Sequence, residues 1–410
     1  MPARIVSSRR MIFASLTVAL LATSSWAGEK VLHSFGTIGS DGQQPLAVLI
    51  FDQAGNLYGT TYAGGTLGLG TVFEMTPDGS GGWTTTVLHN FGQDTDGAKP
   101  WAGLTFDAAG NLYGTTYSGG SRNEGAVFKM SPNGSGGWTE RVIHNFGISG
   151  TDGQNPEAGV IFDGAGNLYG TTYNGGSHSF GVVFEMLPNG SGGWTERVLH
   201  NFGASSMDGQ NLWAGLIFDS SGNLYGTTYA GGSRGQGTVF QMSPNGSGGW
   251  TERVIHNFGA AYDGTAPERG SLVRDSAGNL YGITFYGGGF NLGTAYKVSP
   301  NGSGGWTEAI IHSFGRGHDG ANPYSGLILD GSGNFYGTTG FGGSNTKGTV
   351  FKISPNGSGG WTESILHNFG GVGDGIEPVG GVIRDSAGNL YGTTYNGGSN
   401  SWGTGYEITP

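Results

Sequence analysis

The stretch AGLIFDSSGNLYGTTY, Ala214–Tyr229, holds a short apolar run, a turn opened by Asp219 and closed by Gly222-Asn223, and a second apolar run. Its centre, G-N-L-Y-G or a close variant, occurs seven times, starting at Gly55, Gly110, Gly166, Gly222, Gly278, Gly333 and Gly388. The steps between copies are 55 or 56 residues throughout. A period this constant means one supersecondary unit copied along the chain.

Outward from that stretch, the unit Asp208–Phe258 adds two further runs, Thr238–Met242 and Trp250–Phe258, split by the turn P-N-G-S-G-G. Four short segments rich in β-branched and aromatic residues, punctuated by Gly, Asn and Pro, predict a four-stranded meander. No segment has helical period or length. The expected fold is all-β, a seven-bladed β-propeller of four-stranded antiparallel blades. The 87 glycines and 14 prolines in 410 residues would suggest disorder without a period, but here they mark turns.

The two ends of the chain fit together. The last repeat stops after its third strand at Tyr406–Pro410, and Glu29–Phe35 matches the missing fourth strand, W-T-E-R-V-I-H-N-F in other repeats. Pairing them closes a ring and leaves no unpaired edge. We therefore expect the N-terminal strand to complete the last blade, with the propeller spanning residues 28–410.

Residues 1–27 read as a signal peptide: Arg4, Arg9 and Arg10 precede the apolar run Met11–Ala22, and Ser25 and Ala27 offer small side chains for cleavage. Ser8-Arg9-Arg10 partly matches a twin-arginine signal. The run is too short for a membrane span. Cleavage would take the formal net charge from −11 to −14, since the segment holds three arginines and no acid. Such a chain is a poor partner for nucleic acid or anionic lipid. The absence of cysteine excludes disulfides and thiolate metal sites.

These units resemble the GloVer-type tandem repeat of bacterial exported proteins, over Glu29–Pro410. The resemblance implies an exported or surface location and brings no activity or catalytic residue with it. Members often carry a C-terminal sorting anchor. This sequence stops inside the last repeat, so we expect no anchor and free secretion.

Repeated residues read as scaffold. One His per repeat, from His33 to His367, cannot gather into a single site, so a structural hydrogen bond within each blade is expected. The seven turn-opening Asp (Asp52 to Asp385) and the Asp-Gly pairs beginning at Asp41 read as turn formers. Asp94-Thr-Asp96-Gly97 lacks the remaining ligands of a calcium loop. The N-G-S sequons at Asn133, Asn189, Asn245, Asn301 and Asn356 fall inside repeated turns, where Asn-Gly would supply positive φ. We expect neither a metal nor a cofactor.

Variable residues carry the candidate site. The second-to-third-strand loops differ from blade to blade and include His178, Phe180 and Trp402, as loops on a rigid scaffold do when they recognise something. At the entrance to each first strand stand Leu46, Trp101, Glu157, Trp213, Glu268, Tyr324 and Val379, which would rim the central opening if that strand is innermost. Gln43, Gln44, Gln154, Asn155, Gln210, Asn211 and Asn322 stand just before them. Flat aromatics beside amides and carboxylates suit sugars. The alternative is packing between blades, against which the two Glu argue, because unpaired carboxylates are rarely buried.

The function expected is a secreted binding module for an extracellular glycan or protein. No H-E-x-x-H motif is present and no catalytic residue is assigned. The enzyme alternative, a carbohydrate-active hydrolase or lyase, would use Glu157 and Glu268 as acid and base. An intervening blade separates those two, a wide spacing for carboxylates that must lie within about 5–10 Å. A structural surface protein is the third reading. Mass spectrometry of exported protein should find Gly28 as the N-terminus; an intact Met1 would refute the signal-peptide reading.

Overall fold

The structure is a computed structural model that describes residues 28–410 except 38 and 94. The signal-peptide segment and Asp94 lie outside the described residues.

Each blade is one four-stranded antiparallel sheet. Blade four comprises Ile217–Phe218, Leu224–Thr228, Thr238–Pro244 and Trp250–Asn257, hydrogen-bonded in that order. The second strand is buried along its whole length and the outer strand alternates, because only the outer strand meets water on one side. Gly226 sits mid-strand for a packing reason: a Cβ there would lie 2.6 Å from the ring of Phe240 on the third strand. Among the described residues there is no helix, hence none long and apolar enough to cross a membrane.

The ring closes as expected. Blade seven takes Ile383–Arg384, Leu390–Thr394 and Thr404–Thr409 from the end of the chain and Gly28–Ser34 from its start. The register runs from Gly28 opposite Thr409 to Ser34 opposite Thr404.

The core lies between blades, in seven clusters. One joins Tyr225, Val239 and Phe258 of blade four to Leu272, Leu280, Tyr296 and Val298 of blade five. The closing one sets Leu32, Phe35 and Tyr391 against Leu49, Leu57, Phe73 and Met75 of blade one. A lone blade would leave half of such a cluster in water.

The repeated polar residues do scaffold work. In blade four, Asp219 Oδ1 accepts the backbone N–H groups of Ser221 and Asn223, while Oδ2 accepts Asn223 Nδ2 and Tyr225 Oη. Each His pairs with the Asp of the following Asp-Gly, from 2.8 Å at His89–Asp96 to 3.5 Å at His144–Asp152. Each also meets a Phe two residues on, edge to face; His256 and Phe258 have ring centres 4.6 Å apart. The sequon turns work differently from the expectation. Positive φ falls on Gly134 and Gly136, whereas Asn133 Oδ1 accepts Ser135 N and Oγ and Gly137 N.

Deleting residues 28–35 should leave Thr404–Thr409 an open edge and strip the closing cluster of Leu32 and Phe35. Each large apolar loss costs about 2–5 kcal/mol, so the truncated protein should aggregate or melt far below the parent. Equal melting temperature with a monomeric profile in size-exclusion chromatography would refute closure as a stability element.

Candidate functional site

The loop before the first strand and the loop after the second share one face. Two-residue ladders knit them together in every blade, as Gly209–Gln210 does with Ala230–Gly231. The next residue is left-handed: Asn211 has φ 59°, donates its N–H to Phe180 O of the preceding blade at 2.8 Å, and accepts Tyr229 N at 2.8 Å. The amides expected to face a ligand are partly spent on this lacing. Asn155, Asn211 and Asn322 each donate Nδ2 to a backbone carbonyl, those of Tyr117, Tyr173 and Phe285.

Beyond these residues stand the predicted ring members. Trp101 lies between Tyr62 and Tyr117, with centroids 5.5 and 5.0 Å away. Trp213 lies between Tyr173 at 5.5 Å and Tyr229 at 4.4 Å. Tyr324 meets Phe285 at 4.7 Å and lies over Gly340, where a Cβ would be 2.7 Å from its ring. The second strands thus end in a further set of aromatics: Tyr62, Tyr117, Tyr173, Tyr229, Phe285 and Tyr395. Sequence reasoning missed this set because repetition made it look like scaffold. Gly340, the single departure, was the available signal.

Arg269 was missed as well. From the Asp of each Asp-Gly pair to the Gly of the next turn is 14 residues in six blades and 15 in blade five, Asp263 to Gly278. The extra residue falls between Pro267 and Leu272, where other blades enter the first strand. It sends the Arg269 guanidinium to 4.2 Å from the Trp101 ring centre and 5.8 Å from that of Trp213. The neighbouring seam changes with it. Elsewhere a second-strand Thr bonds the next blade's inner strand, as Thr60 Oγ1 does Ala102 O and Thr171 Oγ1 does Ala214 O. Thr227 Oγ1, facing blade five, has no partner.

Glu157 and Glu268 reverse the expectation drawn from their charge. They are only 5% and 6% exposed, and each has an Oε2 without a hydrogen-bond partner. Burial pushes Glu157 up to about 7, offset in part by the Arg269 guanidinium and the Trp213 indole. Burial pushes Glu268 up to about 8; Arg269 opposes this and Glu157 adds to it. The two carboxyls therefore share one electrostatic environment despite the intervening blade. Of the two, Glu157 borders an axial cavity and Glu268 lines none; a proton-holding carboxyl beside a cleft is a group that acid–base chemistry or ligand hydrogen bonding can use.

Two cavities meet on the axis. One, of about 170 Å³, is lined by inner-strand residues of all seven blades, including Ala47, Gly103 and Ser271, together with Trp101, Glu157 and Arg269. The other, of about 260 Å³, shares Leu46, Trp101, Arg269 and Val379 with it and adds Tyr62, Tyr324, Phe341, Glu377 and Tyr395. The predicted loop residues line neither. His178 is exposed, Phe180 packs on Gly203 and the core between blades three and four, and Trp402 covers Gly36 while staying 41% exposed.

A separate polar cluster occupies the blade seams. Outer-strand Glu29, Glu140, Glu196, Glu252, Glu308 and Glu363 each face the His–Asp pair of the preceding blade. In four seams one ligand-type atom from each of the three residues lies within 4.8 Å of the others. All six Glu are pushed up to about 7, chiefly by burial; the Asp adds and the His opposes.

The fold and axis define a seven-bladed β-propeller with an aromatic and acidic mouth. The chain belongs to the Gloeobacter/Verrucomicrobia repeat family, whose model matches residues 20–191, 135–331 and 302–410. A comparison with curated protein sequences found no match. Solved structures of similar shape include a candidate 6-phosphogluconolactonase from Bacteroides uniformis ATCC 8492, at 14% identity and TM-score 0.49. Another is the periplasmic gluconolactonase PpgL of Pseudomonas aeruginosa, at 15% identity and TM-score 0.49. Each alignment covers 78% of this chain and 84% of the other. They carry no argument about substrate.

The raised carboxyls set a pH dependence. A Glu whose folded pKa exceeds its unfolded value binds more protons folded than unfolded between the two, so stability falls as pH rises through that window. The melting temperature should therefore drop between about pH 4.5 and 8. Replacing Glu140, Glu196, Glu252 and Glu308 with Gln should flatten the slope. A parent whose stability climbs across this range would contradict the burial seen here.

Proposed function

We propose that the chain is a secreted sugar-binding module whose ligand seats at the axial mouth. One observation carries this reading: departures from the repeat converge there. Arg269, Tyr324 and Glu377 differ from their counterparts in other blades and border the wider axial cavity beside Trp101, and Gly340, where other blades carry an aromatic, lies under the Tyr324 ring. Aromatic faces suit the C–H faces of a pyranose, and Arg and Glu suit its polar groups. Secretion is supported by the character of residues 1–27 and by the family.

Acid–base catalysis at Glu157 and Glu268 is the second reading, favoured by their raised proton affinity. In that case Glu157→Gln should abolish turnover of a bound oligosaccharide while leaving its affinity intact.

Residues 28–410 on a glycan array should retain one class of oligosaccharide. Trp101→Ala and Tyr324→Ala should each weaken that binding about fivefold, the worth of roughly 1 kcal/mol of stacking. Thermal unfolding run in parallel separates binding from packing: variants that melt early but bind like the parent would place these rings in the core. Ser247→Ala, in a turn on the opposite face, should leave affinity unchanged.

A further inference from the structure

Building on the sugar-binding reading, we infer that the ligand carries a carboxylate, as a uronic acid does, and that this carboxylate docks on Arg269. The lysine and arginine ion pairs among the described residues are Lys30–Glu407 and Arg197–Glu185, and Arg269 has none. Its Nε is buried without a hydrogen-bond partner. A guanidinium offers five donors in a planar fork that matches a carboxylate. Here the fork is held over the Trp101 ring by cation–π contact at 4.2 Å and borders both axial cavities. A one-residue insertion places it there, in a chain of net charge −11.

The surrounding carboxyls shape the charge the site accepts. Glu157 faces Arg269, Trp213, Tyr117 and Tyr173; Glu268 faces Arg269, Glu157, Tyr173, Tyr229 and Tyr324. Burial raises both carboxyls toward neutrality, so in mildly acidic solution they are largely uncharged and repel an anion little. Glu377 Oε2 accepts Asn396 Nδ2 at 2.9 Å. One guanidinium balances one negative charge. A dianionic phosphate would set a second negative charge beside Glu377, which favours a carboxylate.

The test titrates residues 28–410 with short oligouronates, their methyl esters and sulfated neutral oligosaccharides, by calorimetry at pH 6 and pH 8.5. The free acid should bind about tenfold more tightly than its ester at pH 6, and this preference should shrink at pH 8.5 as Glu157 and Glu268 ionise. Arg269→Gln should erase the preference. The double variant Glu157→Gln, Glu268→Gln should keep it and remove its pH dependence. Equal affinity for acid and ester, stronger binding of the sulfated sugar, or an unchanged preference in Arg269→Gln would each overturn the inference. Neutral sugars that bind through Trp101 with no acid preference would leave the sugar-binding reading standing and this one refuted. If no oligosaccharide of any kind binds, both fall.

Discussion

Burial of apolar side chains between neighbouring sheets is the interaction on which the rest of this molecule depends. Leu224, Phe240 and Met242 of blade four pack with Tyr169, Val183 and Phe202 of blade three, and every blade repeats the arrangement. Since no blade has a core of its own, the array has to close. Closure by Gly28–Ser34 supplies Leu32 to the last seam, and Phe35 follows directly in the same cluster. The seam hydrogen bonds from Thr60, Thr115, Thr171, Thr338 and Thr393 to the next inner strand then fix how closely the strands converge on the axis.

That convergence explains the electrostatics. The inner strands meet through Gly, Ala and Ser, so a side chain at the mouth is drawn out of water by neighbours from several blades. Glu157 and Glu268 lose hydration without gaining an ion pair, and their carboxyls hold protons as a result. Blade five is where the symmetry breaks. Its extra residue accompanies the unpartnered Thr227, and Ile283 stands where blades one to four, six and seven have Thr.

Much of the fold was legible in the sequence, and the reason is repetition. Asp219, Gly222 and Tyr225 recur seven times because one hydrogen-bonded turn recurs seven times, and the match of Glu29–Phe35 to an outer strand revealed the ring. The mouth was legible in outline, through Trp101 and Tyr324, which border its cavities. Its charge was not. Whether Glu157 is buried depends on how tightly seven strands converge, which no single repeat states. Arg269 was hidden because an insertion of one residue shows only when the spacing inside each unit is counted. The Tyr62-to-Tyr395 set was hidden because a repeated residue looks structural even when its ring borders a cavity.

The pairing of Gly28 with Thr409 also decides how the molecule answers to force. Because the two strands are antiparallel, backbone tension applied at these two residues pulls on the same end of the ladder. The bonds then open one after another, as in a zipper, instead of sharing the load in shear. The closing blade is a mechanical fuse. The strand that peels away carries Leu32, which packs with Phe73 and Met75, so a tug at this point would uncover the core between the last blade and the first.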